Sequence, residues 1–338
     1  MPTLPPLDEV ERLSGMVVRV LGGNPGKFTL QGTNTYLLGA PRSRRRLLID
    51  TGEGFPSWTA ALRRALANDD DPVVTDVLLT HHHADHVGGV GDVRDLMAER
   101  GEGEVRVWKF PSPEDGDAGL RPLRDGQVFR LDDDDDDDDD GGDDEGKGWS
   151  LRTIHCPGHT PDHAVFLLSP PPASSSPKDA ASTTATASDP PILFSGDAIL
   201  GHSTAVFTDL ALYVGSLTAL LADGVDRVGT RIYPAHGAVV ADGVGKVEEY
   251  IAHRRERERE VLSVLTDGNG NGEGEGGDKG WYTPREIVQV VYRHVDVGLH
   301  DAAERGVGLV LGKLEGEGRV TRGEGGRWAV GGGGRGNL

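Results

Sequence analysis

A dense cluster of metal-ligand residue types occupies residues 81–86, which read HHHADH and follow directly after an apolar run. His81 and His83, two residues apart on an extended turn, can point in the same direction and converge on one cation. Asp85 and His86 can supply a neighbouring cation. Imidazole nitrogen combined with carboxylate oxygen suits zinc, and manganese or iron are compatible with the same ligands. This cluster needs further side chains to close two sites.

Three further candidates follow later apolar runs. His159 lies in the stretch CPGHT, Asp197 in FSGD and His236 in YPAHG. An aspartate can bridge two metal ions, so Asp197 is the natural link between two sites. A lone histidine near a glycine is usually a turn or surface residue, but all of these residues in this order predict two nearly complete coordination shells.

The other histidines and the single cysteine are not expected to be ligands. Structural or solvent-exposed roles are predicted for five of them: His82, His155, His253, His294 and His300. His202 and His163 are intermediate; His163 could line the site or hold a ligand in place, and we favour a role other than ligand. Cys156 lacks an obvious partner base, so it is predicted to be a buried or incidental thiol rather than a nucleophile.

Composition limits the function classes. The 338 residues carry a formal charge of −20, of which 12 negative charges lie in one tract at 132–145, leaving −8 elsewhere. That net negative charge argues against nonspecific electrostatic binding to nucleic acid. An acidic tract close to the site would also repel RNA. A single cysteine excludes an intramolecular disulfide. No run approaches the roughly 18 apolar residues that a membrane span needs, and the N-terminus lacks the pattern of a secretory signal. We expect a cytosolic protein without a membrane partner.

Short strands and helices position the candidate ligands. Strands are predicted at 17–21, 35–38, 46–49, 73–79, 105–110, 151–154, 164–168, 192–195 and 231–233. Helices are predicted at 58–67, 208–222, 248–265, 283–292 and 301–315. Polar and His-rich residues begin where strands stop, as is common for sites carried on loops over a rigid sheet. The alternation of strands and helices predicts an α/β sandwich.

Low-complexity segments divide the chain. The Asp-rich segment 131–148, the Pro/Ser/Ala/Thr segment 169–191 and the Gly/Glu-rich segment 267–280 cannot bury enough apolar surface to offset chain entropy. The first two are predicted to be inserts in a main domain at 13–266. The third is predicted to be a linker to a small helical domain at 281–322, with a flexible tail at 323–338.

The ordered motifs resemble those of the metallo-β-lactamase fold superfamily of hydrolases. Within it, residues 21–26 (LGGNPG), 29–36 (TLQGTNTY) and 196–207 (GDAILGHSTAVF) are similar to the lactamase-β-like subgroup. That subgroup contains mitochondrial endoribonucleases of animals and the lactamase-like thioesterases that accompany fungal non-reducing polyketide synthases. The resemblance covers about 13–322. It implies an αββα sandwich with a small C-terminal helical, winged-helix-like appendage.

The resemblance also implies roles for individual residues. It implies two zinc ions: one bound by His81, His83 and His159, the other by Asp85, His86 and His236, with Asp197 bridging them. Asp50 matches an aspartate that supports the ligands in the family. His82 and Ala84 fill positions where relatives often carry an aromatic and a larger polar residue, which bears on substrate fit rather than on metal binding.

Two enzymatic hypotheses follow from the resemblance. A hydroxide held by two zinc ions would attack an acyl carbon or a phosphorus, and Asp85 would accept the water proton and return it to the leaving group. The first hypothesis is a thioesterase that releases an acyl or polyketide chain from a carrier protein in secondary-metabolite biosynthesis; its partner is the acyl-carrier-protein domain of a polyketide synthase. The alternative is a single-strand-specific endoribonuclease, for which nucleic acid would be the substrate.

Other functions are less favoured. In support of the nuclease, a C-terminal helical segment could contact RNA, but residues 281–338 carry eight Lys/Arg against seven Asp/Glu, a weak phosphate-binding signature. A binding or scaffolding protein without chemistry is disfavoured because every expected ligand is retained. The same hydroxide would also serve β-lactam, hydroxyacylglutathione or lactone hydrolysis, because a fold alone does not choose a substrate.

Overall fold

A computed structural model describes most of the chain. The described residues are 4–41, 43–69, 71–113, 115–116, 119–131, 148–171, 190–222, 229–267 and 280–331. Within them, no helix combines the length and the apolar composition that crossing a membrane requires. They form two compact units, the first comprising 1–206 and 216–247 and the second 207–215 and 248–338.

The first sheet has seven strands in chain order. They are β1 (Val10–Arg12), β2 (Val17–Leu21), β3 (Asn34–Leu38), β4 (Arg45–Ile49), β5 (Val73–Leu78), β6 (Arg106–Lys109) and β7 (Arg121–Pro122). The pairs from β1 to β4 are antiparallel, whereas β4, β5, β6 and β7 run parallel. The carboxyl ends of β4, β5 and β6 therefore meet at one edge of the sheet, where candidate site residues begin.

The second sheet has five strands in the order β12-β11-β10-β9-β8. They are β8 (Val128–Arg130), β9 (Ser150–His155), β10 (Ala164–Ser169), β11 (Ile192–Gly196) and β12 (Arg231–Pro234). β9 and β10 form an antiparallel hairpin, and β11 pairs parallel with β12. The β9–β10 connection and the carboxyl ends of β11 and β12 thus lie at the same edge.

Apolar residues of the two sheets form the core between them. Side chains alternate along each strand, so Tyr36 and Leu38 of β3 face the shared core while Leu37 faces the opposite side. From the second sheet, Phe166 and Phe194 complete that core. This packing confirms the predicted α/β sandwich.

Helices cover the other face of the first sheet. The α-helices among the described residues are α1 (Pro56–Ala67), α2 (Ala84–Val87), α3 (Val90–Glu99), α4 (Leu210–Ala222), α5 (Gly243–Asp267), α6 (Pro284–Val291) and α7 (His300–Gly316). Trp58 and Leu62 of α1 and Leu96 of α3 are buried in one cluster with Leu37 and Leu48 of the sheet. Burying each such side chain stabilises the fold by about 1.5–3 kcal/mol. The short α2 carries part of the HHHADH stretch.

The second unit contains the appendage and corrects the predicted tail. α6 begins with a capping box in which Thr283 and Glu286 satisfy each other's backbone amides. After α7, an antiparallel pair forms between β13 (Val320–Arg322) and β14 (Trp328–Val330). A strand at Trp328–Val330 is incompatible with a flexible tail from residue 323, so the appendage extends at least to β14. Residues 332–338 of the predicted tail lie outside the described residues.

Most of the low-complexity segments lie outside the described residues, namely the inserts at 131–148 and 169–191 and the linker at 267–280. Arg130 and Ser150, which flank the acidic segment, pair with each other at the end of β9 opposite His155. The expectation that the acidic tract lies near the site and repels RNA falls on residues outside the described ones, so it stays a prediction.

Candidate metal centre

The candidate ligands converge because strand ends of both sheets meet at one edge. Thr80, which follows β5, accepts a backbone hydrogen bond from Ala164 of β10 at 2.8 Å. The hydroxyl of Tyr36 donates to the carbonyl of Pro234 at 2.7 Å, and the Asn34 amide donates to the same carbonyl at 2.8 Å. These bonds join the two sheets beside the candidate ligands.

The first group of ligands is a cluster of three imidazoles. Nε2 of His81 lies 2.9 Å from Nδ1 of His83, and Nε2 of His159 lies 3.2 Å from each of those nitrogens. Ligand atoms around a tetrahedral zinc ion, each about 2.0–2.1 Å from it, would be about 3.3 Å apart. One oxygen of Asp197 completes this four-residue group, with Oδ2 at 3.6 Å from Nε2 of His159.

The second group joins two imidazoles and two carboxylates. Nε2 of His236 lies 3.2 Å from Oδ2 of Asp85 and 3.2 Å from Oδ1 of Asp197. Nε2 of His86 lies 3.4 Å from Oδ2 of Asp85 and 3.6 Å from Oδ1 of Asp197. Asp197 therefore directs one oxygen toward each group, the position that a bridging carboxylate requires.

Hydrogen bonds fix the rings so that nitrogen lone pairs face the cluster. Nδ1 of His159 lies 2.7 Å from the carbonyl oxygen of Val206, to which it donates. Nδ1 of His86 lies 2.8 Å from Oδ2 of Asp50, which also accepts from the Thr80 hydroxyl. A ring that donates through one nitrogen presents a lone pair on the other. Metal-binding histidines are typically held in this way.

Asp50 occupies an unusual backbone conformation. Its φ is 58°, in the left-handed region that most residues avoid, although aspartate tolerates it better than most. The carboxylate accepts from the backbone amide of Thr80 at 2.8 Å as well as from His86. This conformation therefore points the Asp50 carboxylate at the start of the loop that carries the ligands in 81–86. That is the supporting role that the resemblance implies for Asp50.

The three imidazoles of the first group are held neutral. Burial lowers the pKa of His83 to about 4, with the neighbouring His159 adding to the effect. Burial also lowers the pKa of His81 well below its usual range, with His86 as the next cause. The pKa of His159 is lowered by burial despite the opposing charge of Asp197. Neutral imidazole is the form that binds a metal ion.

Carboxylates make the second group favourable to positive charge. Burial opposes the charged form of His236, but Asp197 outweighs it and raises the pKa to about 9. Burial would raise the pKa of Asp85, but the neighbouring His236 and His86 imidazoles lower it well below its usual range. A proton and a metal cation are stabilised by the same carboxylates, so this group suits a cation.

Buried polar atoms without partners support the fit to metal ions. Among the described residues, Nε2 of His86 and Oδ1 of Asp197 are buried and have no hydrogen-bond partner. An unsatisfied buried polar atom costs about 1–3 kcal/mol, and both atoms face the second group. The donor set and these orphaned atoms fit divalent cations bound by all seven predicted ligands, which the structure brings together.

Several other predicted residues lie beside the centre without joining it. Nε2 of the buried His163 accepts from the backbone amide of Asp197 at 3.1 Å, so His163 orients the shared carboxylate. Burial lowers the pKa of His163 to about 3. Cys156 is buried and its pKa is raised to about 12 by burial, which agrees with an inert thiol. His155 is exposed, and His300 is buried in the second unit.

Sequence reasoning missed a buried ionic network next to the centre. Lys109, at the end of β6, places Nζ 2.7 Å from Oδ2 of Asp162, and both side chains are almost fully buried. Oδ1 of Asp162 lies 2.9 Å from Nδ1 of His82. Asp115 adds a second carboxylate at 2.7 Å from Lys109. A lone lysine ending an apolar strand was the available signal, but its partner is 53 residues away in sequence.

The Asp162 network predicts an acid-dependent loss of stability. Burial alone would raise the pKa of Asp162, but hydrogen bonds from Lys109 and His82 lower it from 3.8 to about 2. A carboxyl whose folded pKa is depressed stabilises the fold above its unfolded pKa and loses that contribution as the pH falls through the folded pKa. We expect Asp162→Asn to be less stable than wild type above pH ~4, with the difference narrowing toward pH ~2. Urea unfolding across this pH range measures it; a constant difference would contradict the network.

Close backbone approach at Gly201 predicts a second stability effect. The amide of Gly201 donates to the carbonyl of His236 at 2.8 Å, and a Cβ at this position would overlap the backbone of Ala238. We expect Gly201→Ala to destabilise the fold by about 2–3 kcal/mol and to weaken metal retention, because it separates the loops of Asp197 and His236.

A matched glycine tests whether that effect is specific to the contact. Gly91 lies in α3, and a Cβ there would meet no atom within 4 Å. Gly91→Ala should be neutral or stabilising, since alanine favours helix by about 1 kcal/mol. Thermal unfolding and metal analysis of both variants provide the comparison. Equal stability of the two variants would contradict the packing argument.

Comparisons with protein families identify both parts of the chain. Residues 28–169 match the metallo-beta-lactamase superfamily, and residues 283–328 match the beta-lactamase associated winged helix domain. The chain is 37% identical over 336 residues to "Atrochrysone carboxyl ACP thioesterase" of Aspergillus terreus, covering 97% of this chain and 89% of the relative. It is 36% identical to "Beta-lactamase-like protein 2 homolog" of Drosophila melanogaster, covering 92% and 91%. The chain belongs to the metallo-β-lactamase superfamily.

Solved structures agree with this fold. A beta-lactamase domain protein from Burkholderia ambifaria is similar over 97% of each chain, with a TM-score of 0.66 and 17% sequence identity. A metallo-beta-lactamase family protein from Thermus thermophilus covers 94% of this chain, is covered over its whole length, and has a TM-score of 0.58 at 22% identity. Together, the two family matches and the relative named as a thioesterase show that the chain is a metallo-β-lactamase-fold hydrolase with a C-terminal winged-helix domain, as the resemblance implied.

Proposed function

We propose that this hydrolase is a thioesterase that releases an acyl or polyketide chain from an acyl carrier protein, using two zinc ions at the ligand groups described above. The observation that carries the proposal is the similarity, at 37% identity over nearly the whole chain, to a relative named as an ACP thioesterase. A second relative with that name, from Aspergillus chevalieri, is 35% identical over 94% of this chain. The site also supports the proposal. Its donor set could hold metal ions, and water activated by such ions can attack the thioester without a nucleophilic side chain.

The side chains divide the work of hydrolysis. When bound, divalent ions supply Lewis acidity and activate water near neutral pH. Asp85 is held ionised by His236 and His86, so it can accept a proton from the attacking water and return it to the thiolate that leaves. Asp197, oriented by His163, holds the two ligand groups together. Because the ligand rings are fixed by Asp50 and the Val206 carbonyl, little reorganisation accompanies the reaction.

An apolar side chain beside the centre suits an acyl chain. Val206, whose carbonyl contacts His159, is 62% exposed. An exposed apolar side chain beside a polar centre can contact an apolar group of a substrate.

The competing function is a single-strand-specific endoribonuclease. The same donor set would serve phosphodiester hydrolysis. The near-neutral C-terminal segment, with eight Lys/Arg against seven Asp/Glu, is a weak phosphate-binding signature. The relatives named as thioesterases favour the first function.

A side-by-side assay distinguishes the two functions. The protein is purified and supplied with zinc or manganese, then offered an acyl-carrier-protein thioester and a labelled single-stranded RNA. We expect thiol release from the carrier protein and no RNA cleavage. RNA cleavage that is abolished in Asp85→Asn, with no thioester turnover, would establish the nuclease instead.

A further inference from the structure

The His82 ring is held at the centre by an ion pair that the proposed chemistry does not use. Lys109 and Asp162 have side chains only 2% and 1% exposed, whereas that of His82 is 25% exposed. Removing two charges from water is costly unless the geometry is well satisfied. Here Lys109 also donates to the carbonyl of Phe110 at 2.8 Å, so the ammonium is well satisfied. On the side of Asp162, the network therefore ends in a solvent-accessible group, the His82 imidazole.

The ion pair sets which nitrogen of His82 carries the proton. The hydrogen bond from the Lys109 ammonium keeps the Asp162 carboxyl ionised, and an ionised carboxylate can only accept. Nδ1 of His82, 2.9 Å from Oδ1 of Asp162, is therefore the donor. In the neutral ring, Nε2 then carries a lone pair. Among the described residues, no side chain or backbone group bonds to Nε2 of His82, and the exposed part of this ring faces solvent.

His82 lies against the first ligand group. Its ring centroid is 5.0 Å from that of His83 and 6.3 Å from that of His81. Two adjacent loops also converge on it: His82 follows β5, whereas Asp162 lies in the β9–β10 connection that carries His159. An acceptor held at this position is within reach of a substrate whose reacting carbon is at the metal centre.

From this arrangement we propose that His82 is a specificity-determining residue that accepts a hydrogen bond from a donor group of the substrate, its ring being held by Asp162 and Lys109. The inference rests on the proposed thioesterase function. Two parts of such a substrate offer donors: the amide N–H of the thiol arm and hydroxyl groups of the acyl chain. An acceptor fixed in one orientation discriminates against a substrate without the donor, because its site is then left unpaired.

Four thioesters separate the two sources of the donor. The acyl group is benzoyl or 3,5-dihydroxybenzoyl, and the thiol is N-acetylcysteamine, which has an amide, or ethanethiol, which has none. The metal-loaded full chain is compared with His82→Phe, which keeps a ring and removes both nitrogens. For substrates that carry the donor recognised by His82, we expect His82→Phe to lower kcat/KM roughly five- to tenfold, with the change appearing as a higher KM. Benzoyl ethanethiol ester should change by less than about twofold.

The pattern across the panel decides the inference. A fall on both N-acetylcysteamine esters assigns the donor to the amide, and a fall on both dihydroxybenzoyl esters assigns it to the hydroxyls. An equal fall on all four would show that His82 acts through the metal ligands, and no fall on any would show that it contacts nothing; either result overturns the proposal. Wild type that hydrolyses none of the four would instead contradict the thioesterase function on which the inference rests.

A matched histidine provides the control. His253 lies on an exposed face of α5 in the second unit, so His253→Phe removes an imidazole that has no part in the site. It should match wild type on all four esters. Metal content and thermal unfolding of both variants are measured alongside. A His82→Phe protein that has lost metal would show an equal fall in kcat/KM on all four esters, which is the result that contradicts the proposal.

Discussion

Replacing Asp197 by asparagine is expected to remove most of the bound metal and to lower hydrolysis by at least about 10³-fold, since metal stabilisation of the transition state is worth several kcal/mol. Its two oxygens face different ligand groups, with Oδ1 3.2 Å from Nε2 of His236 and Oδ2 3.6 Å from Nε2 of His159. Asparagine keeps one neutral oxygen and loses the charge. Elemental analysis should fall from about two ions per chain to one or fewer, while thiol release measures activity.

Asp209→Asn is the matched control for this variant. Asp209 is exposed, and its side chain accepts from the amide of Leu212 at the start of α4. Asparagine caps a helix about as well as aspartate does, so metal content and activity should match wild type. An Asp197→Asn protein that kept two ions and full activity would contradict a bridging role for Asp197.

Replacing Asp85 by asparagine is expected to lower kcat by about 10²–10⁴-fold, the usual contribution of a positioned acid–base group. KM should change little, because the proton transfer belongs to the transition state rather than to substrate binding. Asp85 is also within 3.2 Å of His236 in the second ligand group. The assay is therefore run at saturating metal, with bound metal counted, so that the loss of a base is separated from the loss of an ion.

Asp95→Asn, on the exposed face of the nearby α3, controls for a change of charge. It should leave kcat unchanged. A full return of activity in Asp85→Asn at high metal concentration would show that Asp85 serves only as a ligand. That result would remove its proposed acid–base role while leaving the metal centre intact.

The candidate ligands could be named from the sequence because they lie just after the ends of short strands, and their role as ligands stays a prediction. Asp197 follows β11 directly, His236 is two residues beyond β12, and His159 lies in the connection after β9. Local patterns of this kind require no knowledge of which strands pair.

Features that depend on distant partners were not predictable in this way. α3 (Val90–Glu99) contains glycine and several charges, so its helical period is weak in sequence. The strands β13 and β14 have three residues each and are stabilised by pairing with each other. The ion pair of Lys109 and Asp162 joins different sheets. In each case, tertiary contacts outweigh local propensity.

Titrating metal into the metal-free protein tests whether metal ions held by the two ligand groups drive the hydrolysis. Zinc is added in fractions of an equivalent, and thiol release from an acyl-carrier-protein thioester is measured at each step. We expect no hydrolysis without metal and a rise that levels off at about two ions per chain. Thioester hydrolysis that is independent of added metal, or none at any metal concentration, would contradict this expectation.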